Sequence, residues 1–208
     1  MTARIATIAT AVLALGAACG GATGDRAPAP FRTDWPASAR PYDRVVREWT
    51  RSGHLVADFD KVLDVSATFL SPDWRAAYVD FTARRERLSA DARARLAAAQ
   101  RRADAEAYEV ELFVATYRHE ENDLQRGAKS TWRVVLVDAE GREIAPTEIR
   151  RDRRPFEVLR TIFPHARPHQ VAYVARFPRA VDLLSGRQFS LRIGSARGTV
   201  ELVWTAAR

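Results

Sequence analysis

The chain of 208 residues contains one cysteine, Cys19, and only two lysines, Lys61 and Lys129, among 33 basic residues. One thiol excludes an internal disulfide, so the folded part must be held by its core. The apolar run from Ile5 to Leu15 falls short of the roughly 20 residues of a membrane-spanning helix. Gly-x-Ser-x-Gly, Ser-x-x-Lys, P-loop and dinucleotide fingerprints are missing. Gly194-Ser195-Ala196-Arg197-Gly198 has its serine one place early and suits a hairpin turn. There is no internal repeat. The arginine-for-lysine bias and the abundant alanine reflect coding bias, so a formal charge of +7 argues little for nucleic acid.

Composition otherwise suits a globular protein, with 47% hydrophobic and 28% charged residues. Beyond residue 18 the chain suits one domain, or a domain with a helical appendage, and such a length buries roughly 70% of its unfolded surface.

The amino terminus has three parts. Met1–Arg4 is short and basic, Ile5–Leu15 is apolar, and Gly16, Ala17 and Ala18 are small. This is the plan of a secretory signal peptide, 1–18. The small residues end directly in Cys19, and this junction resembles the lipobox of bacterial lipoproteins. Ala17, Ala18 and Cys19 match the motif; Gly16 stands where leucine is usual, with Leu15 one residue early. The resemblance implies cleavage between Ala18 and Cys19, a diacylglyceryl group on the Cys19 thiol, and acylation, commonly with palmitate, of the new amino terminus. Two or more buried chains give stable anchoring where one does not. By resemblance to the sorting pattern of Gram-negative lipoproteins, Gly20 after the cysteine, instead of aspartate, implies the outer membrane in a two-membrane cell. The mature region resembles envelope lipoproteins with no assigned activity.

Residues 19–40 read as a tether, because glycine, alanine and proline dominate and no apolar periodicity appears. As a coil this segment spans roughly 25–30 Å. Phe31 and Trp35 are the exceptions, and they are expected to dock on the domain.

The domain, 41–208, begins with a predicted helix. Tyr42, Val45, Val46 and Trp49 share one face, Pro41 opens the first turn, and Gly53 suits the position after the end. Val62–Leu70 alternates as a half-buried strand. Two helices follow, capped by Ser71 and Ser89, to about Ala107. Their apolar stripes are Trp74, Ala77, Tyr78 and Phe81, then Leu88, Ala92, Leu96, Ala99 and Ala103. The period then changes to 2, which predicts strands at 108–117, 132–137, 156–163, 171–177, 189–193 and 199–204. The expected fold is mainly β with helices (α+β): a seven-stranded antiparallel, immunoglobulin-like sandwich. It would carry an N-terminal helix and a helical pair inserted after the first strand.

Candidate chemistry is sparse. His165 and His169 lie four apart in PHARPH, but Pro164 and Pro168 prevent a helix that would bring them onto one face. His119 opens the polar stretch HEEND. Both stretches are expected to be solvated loops. Asp58 and Asp60 flank Phe59 before the first predicted strand and are expected to end an edge. Arg150, Arg151, Arg153 and Arg154 form the densest basic cluster, a candidate contact for an anionic partner. No catalytic, cofactor-binding or metal residue is assigned; no cofactor or nucleic acid is expected, and no small-molecule substrate is identifiable. The leading expectation is a non-catalytic envelope lipoprotein, bound to the membrane through lipid on Cys19 and open to an envelope protein partner. The alternative is a lipid-anchored hydrolase or metal-dependent enzyme using His119, His165 and His169.

Overall fold

The computed structural model describes residues 31, 33–57 and 59–206. The signal segment, Cys19, most of the spacer and Asp58 lie outside the described residues.

Helix α1, Tyr42–Trp49, buries Tyr42, Val45, Val46 and Trp49 as the periodicity requires. It stops at Trp49, not near Gly53. Thr50–Ala57 is a strand, β1, paired antiparallel with β2, Asp60–Phe69. The helix-cap reading of Gly53 is therefore corrected. A Cβ there would lie 2.8 Å from Val200 and 2.9 Å from Leu202. Glycine stands at this position because another strand approaches closely.

Two helices follow β2. In α2, Pro72–Arg85, the Ser71 hydroxyl accepts the Trp74 N–H at 3.1 Å, and Pro72 occupies the first turn. In α3, Ala90–Glu106, Ser89 accepts the Ala92 N–H at 3.2 Å. Both caps are as predicted. The α3 stripe differs: no residue of α3 is buried, and Ala99 is exposed. Alanine side chains are too short to seat this helix deeply.

Strand β3, Ala107–Thr116, precedes two short 3₁₀ turns, His119–Glu121 and Leu124–Lys129. Next come β4, Arg133–Val137, β5, Glu143–Ile144, and β6, Glu148–Arg151. Phe156–Ile162 forms helix α4, not the predicted strand. Leu159, Ile162 and Phe163 are buried at helical spacing while Glu157, Val158 and Arg160 are exposed. A short apolar run fits either period, and the buried side settles on 3.6. The chain ends with β7, Val171–Pro178, β8, Gln188–Ser195, and β9, Gly198–Thr205.

The strands form two antiparallel sheets, β1-β2-β3-β7-β6 and β5-β4-β8-β9. The fold is α+β. The helical pair enters after the second strand, not the first, because β1 precedes it. Among the described residues, nine strands replace the seven expected: β1, β5 and β6 are added, and the 156–163 strand is lost.

The sheets pack through one core. Phe69 of β2 meets Phe189 of β8 at 4.7 Å and Trp204 of β9 at 6.3 Å between ring centroids. Phe189 and Trp204 stack at 5.1 Å, and the Trp204 indole donates to the Trp49 carbonyl at 2.9 Å. Phe31 joins this cluster, 5.5 Å from Trp49 and 5.4 Å from Phe189. Trp35 lies beneath the Arg101 guanidinium at 4.9 Å. Both aromatic residues of the spacer thus dock on the domain.

Sheet alternation gives β2 and β3 a second, outer face. Ser66, Thr68, Glu111 and Phe113 belong to it, and all four are buried. Phe163 and His165 pack on Phe113 there, at 5.4 and 5.3 Å. Trp74 of α2 stacks on Phe163 at 5.6 Å. The half-buried strand expected at 62–70 is thus covered on both faces over its second half.

The approach of β1 to β9 makes a measurable demand. Gly53→Ala is expected to cost about 1–3 kcal/mol through overpacking against Val200 and Leu202. Urea denaturation would read this as a lowered midpoint at an unchanged slope.

Candidate functional site

Of the arginines at 150–154, three line the β6 edge and Arg154 turns inward. Arg150 and Arg151 are neighbours on β6, so their side chains leave opposite faces. Arg151 donates to the Asn122 carbonyl at 3.1 Å and lies 6.0 Å over the Tyr173 ring. Arg154 turns inward, where its Nε donates to Asp152 at 2.8 Å and its Nη2 to Glu111 at 3.2 Å. Arg150 and Arg153 remain exposed. With Arg151, Gln125 and Ile149 they line a groove along the β6 edge.

On the outer face of the same sheet lies a cleft of about 350 Å³. Register builds its floor: Glu111 of β3 pairs with Val174 of β7, and Val174 with Arg150 of β6. Glu111, Val174 and Arg150 therefore form one row across the sheet. Trp74 and Arg75 of α2 and Gln100 of α3 line the cleft above it.

Arg75 is 1% exposed, yet its guanidinium is well supplied with acceptors. It donates to the Leu70 carbonyl at 3.0 Å, to Gln100 at 2.9 Å and to Glu109 at 2.8 Å. One cation thus ties α2, α3 and β3 together, as a buried charge requires.

Glu111, also 1% exposed, is the opposite case. Burial pushes its carboxyl well above the usual range, and the Arg154 charge only partly opposes this. Its neighbour Asp152 behaves differently. Burial acts to raise it, but the hydrogen bonds and charge of Arg154 prevail and hold it below its ordinary value. The nearby Asp152 carboxylate adds to the upward push on Glu111, while Arg154 favours Asp152. Among the described residues, neither Glu111 Oε1 nor the Trp74 indole N–H has a hydrogen-bond partner.

The histidines take separate roles. His165 is partly buried, edge-on to Phe113 at 5.3 Å, with Nε2 3.4 Å from the Thr68 hydroxyl. Burial pushes its pKa down to about 4, so the ring is neutral at pH 7. His119 and His169 are exposed. Among the described residues, no group of three or more His, Cys, Asp or Glu side chains is placed to hold a metal ion.

PHARPH is a loop, but it follows α4 and not a strand. HEEND corrects the expectation of a wholly solvated loop, since Asn122 and Asp123 are buried. The Tyr173 hydroxyl donates at 2.8 Å toward Asn122, while Asp123 accepts from Ser130 at 2.9 Å and from the Thr131 N–H at 3.1 Å. Asp60 is exposed at the start of β2, and Phe59 at the β1–β2 turn is fully exposed with φ of 69°.

No protein-family model, curated protein or solved structure matches this chain.

Sequence reasoning found the arginines and missed Glu109, Glu111, Trp74 and Arg75 as a group. The available signal was Glu109-Val110-Glu111 inside an otherwise apolar strand. It placed two carboxylates on one face, next to helices able to cover them.

Glu111 and His165 bias stability in opposite directions with pH. The unfolded Glu111 carboxyl ionises near 4.5, while the folded one keeps its proton to higher pH. Its contribution is complete below 4.5 and is lost as pH rises toward the folded value. For His165 the unfolded ring takes a proton near 6.5 and the folded ring near 4, so stability is lost as pH falls between them. Glu111→Gln is expected to remove the loss on the alkaline side, and His165→Phe the loss on the acid side. Urea midpoints measured against pH check this; profiles parallel to the native protein would refute both assignments.

Proposed function

We propose that the protein is a lipid-anchored binding module of the cell envelope, without catalytic activity. Lipid on Cys19 holds it to the membrane, and the β6 edge meets an anionic partner, such as an acidic protein surface. The observation that carries the contact surface is the groove lined by Arg150, Arg151 and Arg153, with Arg154 spent on interior carboxylates. The anchor rests on the junction Ala17-Ala18-Cys19 after an apolar run. Gly20 supports an outer-membrane address in a two-membrane cell. Among the described residues, no helix is long and apolar enough to cross a membrane.

In this reading the two antiparallel sheets are an immunoglobulin-like sandwich, and their shared aromatic core supports it. A rigid sheet edge suits binding, because it presents charges without ordering cost.

Two measurements test the parts separately. Mass spectrometry of the mature protein should find lipid on an amino-terminal Cys19, and Cys19→Ala should release the protein from membranes. A different, unmodified terminus would overturn the anchor. A photo-crosslinker at position 153 should capture a discrete envelope protein in cells, and Arg150→Glu should abolish that product. Equal capture from position 95, on the exposed surface of α3, would refute the edge as the contact.

A further inference from the structure

An open sheet edge is a template for another strand, and proteins obstruct most of theirs. Among the described residues, three of the four edges are obstructed. β1 and β9 face each other so tightly that Gly53 has no room for a Cβ, and Arg51 Nε donates to the Val203 carbonyl at 2.7 Å. β5 is two residues long, and its Glu143 is held by Arg133 and Arg192. The fourth edge is β6.

The hydrogen-bond phase of β6 is fixed at its end. The Asp152 N–H donates to the Ala172 carbonyl at 2.9 Å, and the register sets Arg150 opposite Val174 and Glu148 opposite Arg176. Residues 148, 150 and 152 therefore turn their amides toward β7. Ile149 and Arg151 turn theirs the other way, and among the described residues no protein group meets them there. A groove of about 730 Å³ runs along this side, with Gln125 on its far wall. Ile149, Arg150 and Arg151 line it together although their side chains alternate faces, so it follows the edge of the strand. Its charge is open. Among the described residues Arg150, Arg151 and Arg153 make no ion pair, and Arg151 reaches only the Asn122 carbonyl, whereas Arg154 is taken by Glu111 and Asp152. Glu148 is the one acid on the strand. Like charges set opposite each other destabilise a strand pair, so these arginines turn away a second copy of β6 and favour an acidic strand.

We propose that β6 takes up an extended acidic segment of a partner protein as a further strand of the five-stranded sheet. The segment pairs with the outward amides and carbonyls of Ile149 and Arg151, so main-chain bonds supply affinity and side chains supply specificity. Arg150 and Arg151 leave opposite faces, so the segment carries carboxylates at two adjacent positions, one for each face. Ile149 lies on the Arg151 face two residues away and takes an apolar neighbour. The inference rests on the reading of this edge as the contact surface, and adds the conformation and pattern of what binds there.

The probe is the peptide acetyl-Thr-Val-Glu-Glu-Val-Thr-amide, which presents the same pattern in either strand direction. Saturating peptide should slow hydrogen exchange of the Ile149 and Arg151 amides about tenfold, as bonding in a new ladder requires. The same peptide N-methylated at both glutamates cannot pair and should not bind, nor should the peptide with both glutamates replaced by lysine. Ile149→Pro removes an outward N–H while keeping every arginine and every inward bond, a change that an edge strand tolerates, and it should abolish binding. Where this variant fails to fold, the N-methylated peptide carries the same test on the native protein. Equal binding of the N-methylated or the lysine peptide, no slowing at Ile149 and Arg151, or pairing of β6 with a second copy in place of the peptide would overturn the proposal. Capture at position 153 that survives in Ile149→Pro would remove strand addition and leave the edge contact standing. Peptide pairing without capture in cells would do the reverse.

Discussion

The contact between Phe69 and the stacked pair Phe189–Trp204 is the joint on which this fold is assembled. It packs β2 of one sheet against β8 and β9 of the other. Trp204 also donates to the backbone at the end of α1, which sets where that helix gives way to β1. Along one side the joint closes until there is no room for a side chain at Gly53. Gly198, with φ of 136°, faces Leu55 in the same way, and a Cβ there would be 2.9 Å from Leu55 Cδ1. Apolar burial supplies most of the stabilisation, and packing at this density fixes one register.

Once one face of the five-stranded sheet is committed to that core, its other face has to be covered too. Here the coverage is polar as well as apolar. Helix α2 brings Trp74 and Arg75, and the segment after α4 brings Phe163 and His165. Beneath them lie Thr68 and Glu111, which no water-facing strand would bury. Each is accommodated by a different route. Arg75 is met by acceptors from Leu70, α3 and β3, whereas burial pushes the Glu111 carboxyl well above its usual range and Arg154 opposes this only in part. His165 does the same in reverse by staying unprotonated. The outer layer is therefore a place where charge state, not shape alone, follows from position in the fold.

Much of this architecture was legible in the chain. The 3.6-residue stripe of α1, the serine caps of α2 and α3, and the alternation of β2, β3, β7 and β9 read directly, because each depends on neighbours within a few residues. The segment 156–163 did not read correctly. A short apolar run carries no periodic contrast, so its class depends on which side the core lies. Strand β1 was hidden because its residues alternate between half-buried and exposed, with a glycine that reads as a helix stop. Strands β5 and β6 are two and four residues long, too short to show a period.

The candidate sites divide along the same line. The sequence by itself determined that any thiol chemistry is confined to Cys19 and that the folded part is built without disulfides. It also located an arginine-rich turn at 150–154. Local spacing carries these facts, because they concern which groups exist and in what order. Tertiary structure alone decided that Arg154 belongs to Glu111 and Asp152 while Arg150 and Arg153 face outward. It also decided that the two glutamates of β3 are covered and that Trp74 meets them across a cleft. Arg154 and Glu111 are 43 positions apart, and Trp74 is 35 and 37 positions from Glu109 and Glu111; only the packing of helices on a sheet brings such groups together.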